Sequence, residues 1–306
     1  MSRRPTKIST TVRIKVRYLL LRLSFALGSR FAPDATIRRA ARLFCTPMQR
    51  RPAPDPASVG AAATMLDIDG QRVAAYVWGD PATQPHVLFA HGWSSNGTRI
   101  ASWVAPLRAA GYAVIAFDQA GHGRSAGRRT NLVEFACLLL AVNHRYGPAA
   151  AVVGHSLGGA AAAVALANGL QARRAVIVAP PADPLLVADQ FAGMVGMAHY
   201  LARGMFALFE RRLRFAVEDL QAQHLAPRIG RPALVVHDLE DREVPWSEGE
   251  RYARYWHQAA LLSTRGLGHH RIMDDAGVID AALRFLRGEA VGERVVSSPN
   301  LVYGFA

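Results

Sequence analysis

Apolar side chains along this chain follow one period near the N-terminus and another over most of the rest. Between residues 8 and 29, Val12, Val16, Leu19, Leu20, Leu23 and Leu27 recur every three or four positions, which predicts one stripe of a helix. Arg13, Lys15, Arg17, Arg22 and Arg30 interleave with that stripe. A second helix is predicted from about Asp34, an N-cap residue type after Pro33, to Phe44, with Ile37, Ala40, Ala41 and Phe44 on one side. Thr46 to Ala57 holds Pro47, Pro52, Pro54 and Pro56, which neither a helix interior nor a central strand tolerates, so a linker is expected there.

Past the linker the pattern changes to short apolar runs separated by helical stretches. Strands are predicted at Thr64–Ile68, Arg72–Trp78, Val87–Ala90, Ala113–Phe117, Ala149–Val153, Ala175–Ala179, Pro232–His237 and Ala259–Thr264. The first two join at Asp69-Gly70, a hairpin turn signal. Helices are expected over 98–110 and 131–146, from the turn at Ser156 to Asn168-Gly169, from about Ser247, and near 277–287. Uninterrupted apolar runs fit strands covered on both faces. Their alternation with helices predicts an α/β fold, a doubly wound, mostly parallel sheet.

Pro180-Pro181 break that rhythm. From there to about Pro227 the pattern is helical without strands and rich in Phe191, Met194, Met197, Met205, Phe206 and Phe209. This insert follows the strand after Ser156, a position that suits a lid; helices simply packed on the core would give the same pattern. The predicted organisation is a basic amphipathic helical extension with linker at 1–57, the core at 58–180 and 228–288, the helical lid at 181–227 and a tail at 289–306.

Composition changes the picture in one place. The 306 residues are 51% hydrophobic and 19% charged, enough apolar chain for a sizeable core. The net charge is +13, yet residues 1–51 hold 13 basic residues against Asp34 alone, a balance of +12. The remaining chain carries 23 basic and 22 acidic residues. The basicity therefore belongs to one segment, and no zinc-finger, RNA-reading or helix-turn-helix signature makes it a nucleic-acid reader. That segment fits three roles: helices packed on the parent domain, a basic amphipathic anchor giving peripheral membrane contact through residues 8–45, or a docking site for another protein.

Its longest uninterrupted apolar run is Tyr18 to Leu21, too short for a transmembrane span. A signal peptide fits poorly, and Arg3-Arg4-Pro5 lacks the rest of a twin-arginine signal. Cys45 and Cys137 are expected to be buried or idle thiols and not a disulfide framework. The expected location is cytoplasmic, peripheral at the inner face of the membrane if the anchor role holds. Two lysines against 34 arginines, with abundant alanine, suggest a GC-rich bacterial genome.

The chemistry centres on Gly154-His155-Ser156-Leu157-Gly158-Gly159, an apolar run meeting a tight turn and an alanine-rich helix. A serine at such a bend is clear of the backbone, and the N–H that follows is aimed where a carbonyl would gain negative charge. The flanking glycines sit where a Cβ would clash. A serine hydroxyl also needs a base, and the base an orienting acid. In a parallel sheet these come from loops at the C-terminal strand ends. The last two such loops read Asp238-Leu239-Glu240-Asp241-Arg242-Glu243-Val244-Pro245 and Gly266-Leu267-Gly268-His269-His270.

Taken together, His91-Gly92-Trp93, Asp118 with Gly121-His122-Gly123-Arg124-Ser125, the Ser156 turn, Asp241 with Val244-Pro245, and Gly268-His269 resemble the α/β-hydrolase superfamily over about residues 62–288. The resemblance implies Ser156 as nucleophile, His269 as base and Asp241 as orienting acid. It implies an oxyanion hole from the backbone N–H groups of Trp93 and Leu157. Competing residues are His270, Asp238, Glu240 and Asp183. His91 and His155 are expected to brace nearby turns or line the pocket, and His122 and Arg124 to brace the loop after Asp118.

No metal-ligand spacing and no phosphate loop occur, so no metal and no cofactor are expected. The implied activity is a serine esterase acting on a small-molecule ester, the Met- and Phe-rich insert suggesting an apolar acyl or aromatic group. A thioesterase, lipase or C–C bond hydrolase would use the same triad, as would a cofactor-free oxygenase or peroxidase-like side activity. A non-catalytic binding module on this scaffold would be expected to lack one of the three residues.

Overall fold

The computed structural model describes residues 10–48, 55–213 and 215–295. The Arg3-Arg4 pair, Pro52 and Pro54 of the linker, and the tail beyond 295 lie outside the described residues. The elements run α1 (Thr10–Phe31), α2 (Pro33–Phe44), β1 (Ala62–Ile68), β2 (Gln71–Trp78), β3 (His86–Ala90), α3 (Ala101–Ala109), β4 (Ala113–Phe117), α4 (Leu132–Tyr146), β5 (Ala149–His155) and α5 (Leu157–Ala167). They continue with β6 (Ala172–Val178), α6 (Pro184–Val195), α7 (Ala202–Leu213), α8 (Ala222–Leu225), β7 (Ala233–Asp238), α9 (Trp246–Tyr255), β8 (Ala259–Thr264), α10 (Gly268–Arg271) and α11 (Ala276–Leu286). The described residues group into two compact units, those within 45–183 and 218–295, and those within 10–44 and 184–217.

The first unit is built on one eight-stranded sheet, in the order β1-β2-β4-β3-β5-β6-β7-β8. β1 pairs antiparallel with β2, and β2 with β4; every later pairing is parallel. The hairpin turns at Asp69 (φ 51°) and Gly70 (φ 80°), both left-handed, matching the strand twist as the Asp-Gly pair predicts. β3, β4, β5 and β7 are buried at every position. Their side chains alternate: Phe89, Ala116, Val153, Val178 and Val236 join Trp103 and Leu107 of α3 and Val278 and Ala282 of α11 in one core layer. Leu88, Ile115, Val152, Ile177 and Val235, between them in sequence, are equally buried and face the other way. Coverage on both faces is why these strands read as unbroken apolar runs.

Differences from the predicted elements are local. The helix expected over 98–110 begins with a tight 3₁₀ turn at Gly97–Ile100, capped by the Asn96 side chain accepting from Thr98 N–H. The tail adds a short pairing, with Leu261 and Glu293 exchanging backbone hydrogen bonds of 2.7 and 2.8 Å. Part of the expected linker lies against the sheet unit: Cys45 O accepts from Thr130 N–H, and Met48 N–H donates to Ser94 Oγ.

The second unit is helical. α1 and α2 share a core with α6 and α7, formed by Phe25, Ala40, Ala41, Ala192, Met205 and Phe206 among others. Phe44 meets Phe191 edge-on with ring centroids 5.2 Å apart. Arg22 donates to the carbonyls of Gly193 and Met194 at 2.7 Å each, and Ala198 N–H donates to Ser29 Oγ at 3.1 Å. One sequence expectation is corrected here. α2 starts at Pro33, so Asp34 lies inside the first turn instead of capping it; Pro at the first helical position costs no hydrogen bond, and the carboxylate faces the positive helix end. The leucine stripe of α1 is not its packing face: Phe25 is 0% exposed, whereas Leu23 and Leu27 are 50% and 60% exposed. The Met and Phe content of the insert is likewise accounted for in part by this unit's own core, where Met197, Met205 and Phe206 are buried.

Candidate active site

All residues of the site belong to the sheet unit and gather at the C-terminal ends of its parallel strands. Ala149 to His155 are buried without exception, and Ser156 is the first residue to emerge. Its backbone stands at φ 53°, ψ −125°, a conformation costing a non-glycine residue about 1–3 kcal/mol. The turn is held by its surroundings: Ser156 N–H donates to Val178 O at 2.8 Å, and Ser156 O accepts from Gly159 N–H at 2.8 Å. The glycines are required on both sides, for different reasons. A Cβ on Gly154 would stand 2.5 Å from Gly158 O, inside the turn. A Cβ on Gly158 would run into the carbonyls of Ala90 and His91 at the end of β3. Gly92 packs less tightly from that side, since a Cβ there would meet Ser156 Cβ at 3.1 Å.

His269 lies on α10, in the loop after β8. Its Nδ1 is 2.7 Å from Asp241 Oδ2, and both side chains are almost wholly buried. With Nδ1–H donating to the carboxylate, Nε2 is the basic nitrogen. Asp241 follows β7, and its other oxygen accepts from Glu243 N–H at 2.8 Å and Val244 N–H at 3.0 Å. Burial alone would raise the Asp241 carboxyl; the N–H dipoles of His237 and His269, with Val244 N–H, outweigh it and hold the group well below the usual carboxylate range. His237 Nε2–H donates to Val244 O at 3.0 Å and stands 3.6 Å from Asp241 Oδ2, so its influence on the carboxylate is electrostatic.

The loop bearing His269 is fastened at several points that local sequence did not reveal. His155 Nε2–H donates to His269 O at 2.9 Å, and the two rings lie 5.0 Å apart. Asp238 Oδ2 accepts from Leu267 N–H at 3.0 Å and Thr264 Oγ1 at 2.7 Å, while Oδ1 accepts from Glu240 N–H. Arg99 donates to His270 O and makes a two-pronged contact with Asp274. The competing residues are engaged elsewhere: His270 is exposed and paired with Glu243 at 2.8 Å, Glu240 is exposed near Arg265, and Asp183 faces Arg251 at 3.5 Å.

The turn after β3 is braced by two histidines. His91 Nδ1–H donates to Gly92 O at 2.7 Å, and its Nε2 accepts from Gln119 N–H. His122 Nε2 accepts from Ser94 N–H at 3.0 Å, and its Nδ1–H donates to Ala120 O. Trp93 sits between these two anchored peptides and is partly exposed. Leu157, as the first residue of α5, presents an N–H with no acceptor within its helix. His91 and His155 are 0% and 3% exposed, so both brace backbone beneath the site. Burial pushes each down to about 3, helped at His91 by His122 and at His155 by His269. Asp118 is a further buried node: it accepts from Gly97 N–H, Tyr76 Oη and Arg124 N–H. A Cβ on Gly123 (φ 50°) would enter its carboxylate. Among the described residues, no group of three or more His, Cys, Asp or Glu side chains is arranged to hold a metal.

A doubly wound sheet of this strand order, with a serine at a strained strand-to-helix turn and a His–Asp pair in the last two strand-end loops, defines a class. A model of the alpha/beta hydrolase family matches residues 87–282. The chain belongs to that family and is a hydrolase. Over 102 residues it is 35% identical to a monoacylglycerol lipase of Mycolicibacterium smegmatis, covering 30% of this chain and 36% of the lipase; the chain thus spans about a third of that relative's length. It is 26% identical over 271 residues to a non-heme chloroperoxidase of Streptomyces lividans, covering 72% of this chain and 97% of the relative. Among solved structures, a membrane phospholipase A matches with TM-score 0.61 at 18% identity, covering 90% of this chain and 98% of that one. Est1E from Butyrivibrio proteoclasticus matches with TM-score 0.56 at 18% identity, covering 74% and 98%. These structural likenesses concern the fold.

Proposed function

We propose that this hydrolase cleaves carboxylic esters through an acyl-enzyme intermediate. In this scheme His269 Nε2 takes the Ser156 proton as Oγ attacks the ester carbonyl. The N–H groups of Trp93 and Leu157 receive the negative charge, and the imidazolium returns the proton to the departing alcohol. Water, deprotonated by His269, then attacks the acyl group, releasing the acid and regenerating Ser156. Asp241 holds the ring with Nε2 free and stabilises the imidazolium. These steps need no cofactor. The observation that carries the proposal is the buried 2.7 Å contact from His269 Nδ1 to Asp241 Oδ2, on a loop that His155, next to Ser156, also holds.

The substrate we propose is an ester with an apolar acyl or aromatic group. The lipase relative supports a lipid-like acyl chain, and among the described residues no helix is long and apolar enough to cross a membrane. The chloroperoxidase relative supports a second reading, a peroxidase-like side activity at the same triad.

Turnover of graded-length p-nitrophenyl esters and thioesters, alongside fluorophosphonate labelling, tests the scheme. Ser156→Ala is expected to abolish both turnover and labelling. Labelling that persists in that variant would overturn the nucleophile assignment, and preference for thioesters would redirect the substrate class.

A further inference from the structure

α1 carries a row of apolar side chains that its own unit leaves uncovered. At 100° per residue, Val16, Leu20, Leu23 and Leu27 fall within an arc of about 60°, centred opposite Phe25 and Ser29. They are 48%, 58%, 50% and 60% exposed, against 0% and 5% for the two buried residues. Val12 (49%) and Phe31 (74%) extend the row over about 28 Å of helix at 1.5 Å per residue. The opposite face explains what fixes the helix: Phe25 enters the shared core, Tyr18 Oη donates to Met194 O, and Arg22 donates to Gly193 O and Met194 O. The helix is held by one face while the other presents an uninterrupted apolar strip, which water does not favour.

Charge selects what covers the strip. Arg13 and Arg17 flank it on one side and Lys15 on the other, with Arg30 beside Leu27 and Leu23; all four are exposed. No acidic residue occurs anywhere in α1. A second copy of the same helix would bring these cations against their own kind. An anionic lipid surface meets both halves of the pattern, apolar side chains entering the acyl boundary and cations remaining at the headgroups. We infer that the outward face of α1 is a docking surface for an anionic lipid bilayer, lying in the plane of the interface. The helical unit that contains α6 and α7 is thereby attached to the membrane through α1.

The test is sedimentation of the full chain with vesicles of phosphatidylcholine alone or mixed with phosphatidylglycerol, read beside turnover of a water-soluble ester. The unmodified protein is expected to pellet with the mixed vesicles and to be released by salt. A Leu20→Glu, Leu23→Glu, Leu27→Glu variant is expected to bind at least about tenfold more weakly at unchanged turnover, since these side chains lie outside the shared core. Arg13→Glu with Arg17→Glu should lose the preference for phosphatidylglycerol. Equal pelleting of the unmodified protein and the triple variant overturns the inference. So does light scattering that shows the unmodified protein as a dimer, the triple variant as a monomer, and neither on vesicles. Binding is read without reference to catalysis, so its failure and that of the esterase proposal are separately visible.

Discussion

The imidazole of His155 donates from Nε2 to the backbone carbonyl of His269 at 2.9 Å, tying the end of β5 to the loop after β8. The residue before the proposed nucleophile thus holds the residue proposed as its base, across 114 positions of sequence. With Nε2–H as donor, Nδ1 is a buried lone pair without a partner, and the ring is kept neutral by burial.

Replacing that ring removes the tie without touching the proposed triad. His155→Phe should lower kcat about tenfold or more with a smaller change in KM, because the base is misplaced while substrate contacts persist. It leaves the His269 carbonyl without its donor, a loss of about 1–3 kcal/mol in stability. Unchanged kcat in a folded variant would show that the other ties suffice to position His269.

Asp241→Asn separates orientation from shape. An amide at this site cannot hold His269 as the carboxylate does or stabilise its imidazolium, and a loss of about 10⁴ in kcat follows from the proposed scheme. Folding, read by circular dichroism, should be retained. Near-normal turnover would assign the acid role to Glu240 or Asp183 instead.

Ser156→Gly should trade activity for stability. Glycine adopts φ 53° freely, so release of backbone strain is expected to offset its greater unfolded-state entropy and raise stability by up to about 1 kcal/mol. Thermal unfolding of this variant beside Ser156→Ala isolates the backbone contribution, because alanine keeps the strain. A Ser156→Gly protein no more stable than Ser156→Ala would contradict it.

Stability should fall on the acid side, in two stages. Burial, the main cause, lowers His91 and His155 to about 3, against about 6.5 in the unfolded chain. Between those values the unfolded state binds more protons, so each histidine removes up to about 1.4 kcal/mol per pH unit as pH falls through the window. His86 and His122 are shifted in the same direction, mainly by burial. Asp241, depressed in the folded state, adds a second loss below about pH 4, where the unfolded carboxyl protonates first. Denaturant titrations at pH 8 and pH 5 should differ by a few kcal/mol, and a flat profile would refute the burial of these rings.

How much was legible in advance follows from how local each feature is. β4 appears in the sequence with its observed bounds, because a strand covered on both faces needs an unbroken apolar run and its neighbours break it. The turn at Ser156 is legible for a similar reason, since Gly154 is excluded from carrying a side chain by Gly158 only four residues on. The resemblance points to His269 over His270, but the difference in their burial is not local: the two share one short helix, and Asp241 meets the one while the other pairs with Glu243 at the surface. Arg99 looks like an ordinary charged residue until the fold brings Asp274 to it.

α1 marks the same limit from the other side. Its sequence by itself determined a helix with leucines at helical spacing and cations between them. Phe25 and Leu21, on the face opposite that row, are apolar too, so the period alone could not say which face would be covered. Only the tertiary structure decided it, by setting α2 and α6 against α1 on the side of Phe25 and leaving the leucines outward. A helical period is a property of one segment, whereas burial belongs to whatever distant segment packs upon it.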